Sequence, residues 1–351
     1  MARLDGSPVI TIYPDLTART EVGGVNLTTA RKLSENRRAC FYTTVKAGPF
    51  DIPGSLAREW LTDCNPHGKS NADVVKPWSN AMDITRRPSD TWVVDFGVDM
   101  AESEASLYEA PFEYVRKTVK PVRDKTRREK YRRLWWLFAE PIPGLRDALL
   151  GMNRFIATPQ VSKHRLFVWM STKIIPDHAL MAIARDDDTT FGVLHARPHE
   201  IWALRLGTSL EDRPRYTPTT AFETFPFPEG LTPRVNASSY AADRRAKRIA
   251  DAAKRLNELR EEWLNPADLV DRVPEVVTGY PDRVIPKNPK AAAALKKRTL
   301  TNLYNAKPVW LQHAHRELDE AVAAAYGWGW PLSDDEILRR LLELNQARAM
   351  T

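Results

Sequence analysis

The sequence predicts an α+β fold in three consecutive parts: a mixed α/β region, a small β-rich domain and a helical C-terminal region. Three observations predict it. PVITIY (8–13) alternates β-branched residues at the period of a strand. RLFVWM (165–170) and ALMAIA (179–184) are short apolar runs of strand length bounded by polar or turn-forming residues. From Ala237 the apolar spacing changes to steps of three and four, the period of helices.

Taken in chain order, PVITIY is the first predicted strand. The next hundred or so residues mix short apolar runs such as WVVDFGV (92–98) with Asn, Pro and Gly turns, as a mixed α/β region does. A block from Trp135 to Pro228 then carries the two strand-like runs, a DDD turn and FGVLHARPHEIWAL (191–204). It closes at FPFPEGLTP (225–233), where the prolines stop any regular element. AADRRAKRIADAAKRLNELREEWL (241–264) places Ile249, Ala253, Leu256, Leu259 and Trp263 on one face, an amphipathic helix. Five prolines from Asn265 to Pro289, with no period, predict a surface loop. NLYNAKPVWLQHAHRELDEAVAAAYGWGWP and SDDEILRRLLELNQARA complete a helical end, the second opened by a capping box of Ser333 and Glu336 ahead of Ile337 and Leu338.

At 351 residues the chain is long enough for two domains and a sizeable core. No segment approaches the roughly eighteen uninterrupted apolar residues of a membrane span. The start MARLDGSPVITIYPDL has no cationic end followed by an apolar run, so the expectation is a cytoplasmic protein without a membrane partner. Cys40 and Cys64 are too few for a disulfide framework or a cysteine zinc site.

Much chemistry is absent. With 15 Gly there is neither G-x-G-x-x-G nor a Walker loop. The nearest approach to the Pro-Pro-aromatic turn of adenine methyltransferases is Asn65-Pro66-His67-Gly68, which lacks the second proline and the ring. No acid stands two residues before any lysine, as common magnesium-dependent nucleases require. His195 and His199 stand four apart, a spacing that suits a metal on a helix, but without a third ligand in reach they are expected to cap and pack a turn. His313 and His315 are expected to be structural or interfacial, and no metal is expected.

The charge is unevenly placed. RKTVKPVRDKTRREKYRRLWWLF (116–138) holds ten Lys or Arg against Asp124 and Glu129, a local excess of +8 in a chain of net charge +7. A solvated helix face alternates signs, whereas Arg123, Arg127, Arg128, Arg132 and Arg133 stand in a nearly uniform positive run that calls for an external counter-charge. Phosphates would supply it; an acidic protein surface, or solvent alone, is the other reading. In TPQVSKHRLFVW, Lys163 and Arg165 fall on one face of a predicted strand with Gln160 and Ser162 nearby, groups that bond phosphates or base edges. GTSLEDRPRYTP sets Glu211, Arg213 and Arg215 at alternate positions. Such residues read cytosine and guanine edges, or salt-bridge one another on the surface.

Eight segments carry a family resemblance. NPHGKSNADVVKPW (65–78), ITRRPSDTWVVDFG (84–97), ASLYEAPFEYVRKTVKPVR (105–123), RFIATPQVSKHRLFVW (154–169), FGVLHARPHEIWAL (191–204), RYTPTTAFETFPFP (215–228), LTNLYNAKPVWL (300–311) and LDEAVAAAYGW (318–328) occur in this order. Together they resemble the C-terminal half of large single-chain, type IIG-like adenine-specific DNA methyltransferases of restriction-modification and phage-defence systems. The resemblance implies that residues 1–120 are the tail of a methyltransferase domain, 121–230 a DNA target-recognition domain and 231–351 the helical end. It places Lys163 and Arg165 at the DNA face, and Glu211 with Arg213 in the loop that reads a base pair.

It also implies a division of labour. The half that binds S-adenosylmethionine and carries the Pro-Pro turn is expected outside these residues, so this chain would bind no cofactor and would be inactive alone. Its partners would be double-stranded DNA and a methyltransferase catalytic domain or subunit, whose sheet the N-terminal strand would extend. The alternative is a protein-interaction or inhibitory module whose basic segment binds an acidic partner.

Overall fold

Two four-stranded sheets, each with its own apolar core, organise the chain. The computed structural model describes residues 2–4, 7–12, 18–19, 24–207, 209–210 and 213–350. In the first sheet the order is Val168–Ser171, Arg154–Pro159, Leu180–Ile183, Cys40–Tyr42, all antiparallel. Ala157 stands opposite both Val168 and Ala182, and Phe155 to Pro159 are buried. A strand covered on both faces reads as continuously apolar, as this one does.

The longer helices that share that core are Asp188–His195, Arg197–Leu206, Arg244–Leu264, Val309–Ala325 and Asp334–Ala349. The DDD turn starts the first of them, where the Asp187 carboxylate accepts from Thr190 N at 2.7 Å. Pro198 stands in the first turn of the second, where a missing N–H costs nothing. FGVLHARPHEIWAL therefore forms helices, and the block expected to be β-rich is mixed. Gly192 lets the helices close up: a Cβ there would come within 2.6 Å of Ile249 Cγ2 and 3.0 Å of Ala253 Cβ. As the period predicted, Ile249, Ala253 and Leu256 are buried, with Leu259 and Trp263 half-buried against the same core. Ser333 caps the last helix, its Oγ accepting from Glu336 N at 3.3 Å.

The second sheet runs Ile175–Pro176, Val75–Ser79, Thr91–Val94, Asp51–Pro53, with only the first pairing parallel. Its core joins Phe50, Trp60, Trp78, Trp92 and Phe96 to Phe112, Val115 and Val119 and to Trp135, Trp136, Leu137 and Phe138. Val119 and Trp135, on either side of the expected boundary at 120/121, are both buried in this core. The stretch 265–289, expected to be a loop, holds a hairpin of Val270–Val273 with Arg283–Pro286. Its strands are too short to announce a period of two. Tyr280, between them, reaches the second core.

At the N-terminus, Ala2–Leu4 pairs with Ser7–Val9, and Thr11–Ile12 with Ala18–Arg19, as two-stranded ribbons separate from both larger sheets. The strand expected over 8–13 is interrupted at Ile10, and Tyr13 lies outside the described residues. Among the described residues no helix is long and apolar enough to cross a membrane.

Candidate nucleic-acid interface

The basic segment is not one helix face. Its cations are spread over three short helices, Glu109–Thr118, Lys120–Asp124 and Glu129–Arg133, and the 125–128 connection; Pro121, which cannot donate to the preceding turn, separates the first two. Trp135, Trp136, Leu137 and Phe138 are buried immediately after, and Trp136 Nε1 donates to Met100 O at 2.8 Å. The segment is thus pinned to the second core at its C-terminal end.

Two of its cations meet carboxylates, Arg116 with Glu113 at 2.7 Å and Lys120 with Asp124 at 3.0 Å. Lys117, Lys125, Arg127, Arg128, Lys130, Arg132 and Arg133 are exposed, and among the described residues none has a carboxylate within ion-pair distance. Arg128 Nη1 donates to Tyr131 Oη at 2.6 Å and Arg132 Nη1 to Thr126 O at 2.7 Å. These neutral acceptors hold the guanidinium groups in place and leave their charge intact.

Arg123 is a correction to the sequence reading. It is 2% exposed, donates from Nη2 to Lys46 O at 2.7 Å and Leu137 O at 3.1 Å, and lies over the Tyr131 ring. Burial holds its pKa below the usual arginine value. It ties the basic segment to the second core and is not available to a phosphate.

The second cluster is drawn together by backbone pairing. Val161 forms a β-bridge with Arg215, and Tyr216 N donates to Gln160 O at 2.7 Å. With its amide oxygen turned to the guanidinium, Gln160 accepts from Arg215 Nη2 at 2.9 Å. The turn 160–165 and the 213–215 strand end, separate in sequence, are therefore neighbours. Lys163 is exposed and donates to Asn305 Oδ1 at 2.8 Å.

Arg165 is the second correction. It is 6% exposed and donates to Thr158 Oγ1 at 3.0 Å, to Pro159 O and to Pro214 O at 3.0 Å. Residues 163–165 are a turn and not a strand, so Lys163 and Arg165 do not share a face: one points out while the other clamps the two loops from inside. Arg213 belongs by backbone to a two-residue strand paired with Ser209–Leu210, while its side chain, and the whole of Glu211, lie outside the described residues.

This architecture has a counterpart among known proteins. Residues 72–229 match the family model described as MmeI, target recognition domain. The matched segment contains the exposed cations, the turn at 160–165 and the 213–215 strand end, and it begins ahead of residue 121. In fold, the chain is similar to the type IIL restriction-modification enzyme MmeI, solved in complex with DNA, with a TM-score of 0.65 and 18% identity. The likeness covers 98% of this chain and 39% of that one, so the chain spans about two fifths of the enzyme's length. None of the curated proteins matches it.

Within residues 72–229, His195 and His199 are buried and structural. His195 Nε2 accepts from Phe167 N at 3.2 Å and from Arg260 Nη1 at 2.8 Å, so its proton sits on Nδ1, facing Phe191 O. His199 donates from Nδ1 to Leu194 O at 2.8 Å and accepts on Nε2 from Tyr216 Oη at 3.0 Å. Both rings are buried and neutral, with His199 pushed down to about 3 chiefly by burial. His315 meets Tyr304 Oη at 2.9 Å, whereas His313 is exposed. Among the described residues no group of three His, Cys, Asp or Glu is arranged to hold a metal.

A cavity of about 610 Å³ lies between the second sheet and the 270–286 hairpin, lined by Trp78, Trp92 and Tyr280. Three of the four acids on its lining are engaged: Asp90 and Glu275 both by Arg58, and Asp83 by Asn80 N and Ser89 N. A second, smaller cleft of about 170 Å³ opens beside the 160–165 turn and includes Lys307, Gln312 and His315 from the helical end. Lys307 and Gln312 were not candidate site residues in the sequence, and His315 was expected to be structural or interfacial, since only folding brings them to the turn.

Proposed function

We propose that the chain is the DNA sequence-reading portion of an adenine-specific methyltransferase of a restriction-modification system. Arg127, Arg128, Arg132 and Arg133 grip duplex phosphates, Lys163 contacts the backbone near the reading loop, and Glu211, Arg213 and Arg215 form that loop. Methyl transfer requires a partner catalytic domain or subunit that supplies the S-adenosylmethionine site, and the isolated chain is inactive. The observation that carries this reading is the run of exposed cations without carboxylate partners, held rigid on a core within a segment that matches a target recognition domain. Concentrated unneutralised charge on a fixed platform is what counter-ion release rewards.

The test is binding of the purified chain to duplex DNA over a range of salt. Each phosphate contact contributes about 0.9 to the slope of log affinity against log salt. Reversing Arg127, Arg128, Arg132 and Arg133 to Glu is expected to abolish binding at about 0.1 M salt, where surface charges are only partly screened. Unchanged duplex binding with lost assembly on a protein partner would reject the DNA reading in favour of an acidic-partner module. Methyl transfer by the chain alone would reject the division of labour.

A further inference from the structure

The turn at 160–165 abuts the helical end of the chain. Lys163 Nζ donates to Asn305 Oδ1 at 2.8 Å, His164 Nε2 lies 2.9 Å from the same oxygen, and the His164 ring packs on Tyr304. Asn305 is near the end of the Leu300–Ala306 helix, and Lys307 follows in a left-handed conformation with φ 43°. Lys307 is exposed, and no partner for its ammonium is found among the described residues. It stands with His164 on the cleft of about 170 Å³, with Arg165 in the wall.

The electrostatics of that cleft are unbalanced. Arg165 donates to a hydroxyl and two carbonyls, and Arg260, 3% exposed, donates to the neutral His195 and to Phe167 O and lies over the Tyr304 ring. Neither has a carboxylate within ion-pair distance among the described residues, and Arg260 Nε has no partner. An uncompensated buried cation is costly, and burial lowers Arg165 to about 10. Of the two acids on the cleft, Glu200 is tied to Arg197 at 2.7 Å. Asp319 is pushed up to about 7, mainly by burial, so it is half-neutral near physiological pH. Two buried guanidinium groups behind His164 and Lys307, with Lys163 beside them on the Asn305 oxygen, make the cleft a positive site.

We propose that this cleft takes one backbone phosphate of the bound duplex, so that the helical C-terminal region, through Lys307, forms part of the DNA interface. The inference rests on the DNA reading above and extends it to residues 300–315, outside the segment that matches the target recognition domain. Arg165 and Arg260 act through their field, while Lys307 and Lys163 make the contacts. A phosphate contact carries no base information, so its loss weakens binding equally on every sequence.

Lys307→Gly is the variant of choice, since glycine adopts a left-handed backbone more readily than lysine and the fold is preserved. Duplex binding by the full chain is measured from 50 to 200 mM salt. Lys307→Gly is expected to lower the slope of log affinity against log salt by about 0.9, so that its deficit shrinks about threefold to fourfold over that range. Lys307→Arg is expected to restore both slope and affinity. Lys290→Ala, an exposed lysine off the cleft, serves as the control for a mere change of net charge. The inference is overturned if the parent chain binds with a steep slope that Lys307→Gly leaves intact, or if Lys290→Ala lowers it equally. Absence of salt-dependent duplex binding by the parent chain would instead reject the underlying DNA reading.

Discussion

Arg123 and Arg127 lie four residues apart in one basic run yet have opposite physical roles. Arg123 satisfies two main-chain carbonyls inside the second core, and replacing it with Ala leaves them without a donor. Arg123→Ala is expected to lower unfolding free energy by about 1–3 kcal/mol, whereas Arg127→Ala should stay within about 0.5 kcal/mol. Urea denaturation of the two variants checks this, and equal midpoints would contradict it. A second expectation concerns protons. His195, His199 and His315 are held below their ordinary value, His199 to about 3 and His315 to about 4, by burial first and then by Arg260, Arg165 and Lys307. Their folded pKa values are depressed, so below about 6.5 the unfolded chain takes up protons that the folded chain refuses, and stability falls on acidification. Asp319, raised to about 7, works the other way and offsets one of these three groups. The net slope between pH 6.5 and 4.5 is up to about 2 × 1.4 kcal/mol per pH unit. Denaturation midpoints at the two ends of that window, at fixed ionic strength, measure it. A flat profile would show that the rings are not neutral and buried.

Among the elements, the Asp188–His195 and Arg244–Leu264 helices meet closely at Gly192. Alanine there gains about 0.5–1 kcal/mol of helix propensity but must push against Ile249 and Ala253, an overpacking that costs about 1–3 kcal/mol. Gly192→Ala is therefore expected to lower the thermal midpoint, and Gly192→Val to lower it further. A raised midpoint for the alanine variant would mean that the helices are free to separate. The basic helices follow a different rule. They are short, and they lie between Pro121 and the buried WWLF run that follows them; Lys120 pairs with Asp124, while Lys130, Arg132 and Arg133 have no carboxylate within ion-pair distance among the described residues.

At the level of the whole molecule, the helical end cannot be detached from the part that precedes it. Ile249, Leu256, Leu318, Val322, Ile337 and Leu341 are buried in the same core as Phe155, Phe167, Phe191 and Trp202. Asn345 adds polar ties, donating to Arg31 O and Thr224 O at 2.7 Å. A chain truncated after residue 230 is expected to be insoluble or to aggregate, because the remaining sheet would expose a large apolar face. Size-exclusion chromatography of the truncated chain decides this, and a monodisperse monomer would show that the two parts fold independently. The same shared core places residues 300–315 beside the 160–165 turn, as the proposed composite interface requires.

The sequence alone determined the strongly periodic and the strongly charged features. The 241–264 amphipathic face, the Ser333 cap, the strands at 168–171 and 180–183 and the anchoring WWLF run were all legible, because each depends on neighbours within a few residues. The excess of positive charge at 125–133 was legible for the same reason. Tertiary structure decided the rest: that FGVLHARPHEIWAL is helical, that Arg123 and Arg165 face inward, and that Lys307 meets the 160–165 turn. An arginine reads the same in a sequence whether it faces water or carbonyls. Which one it meets is fixed by contacts as far off as Lys46 for Arg123 and Pro214 for Arg165, and no local pattern records those.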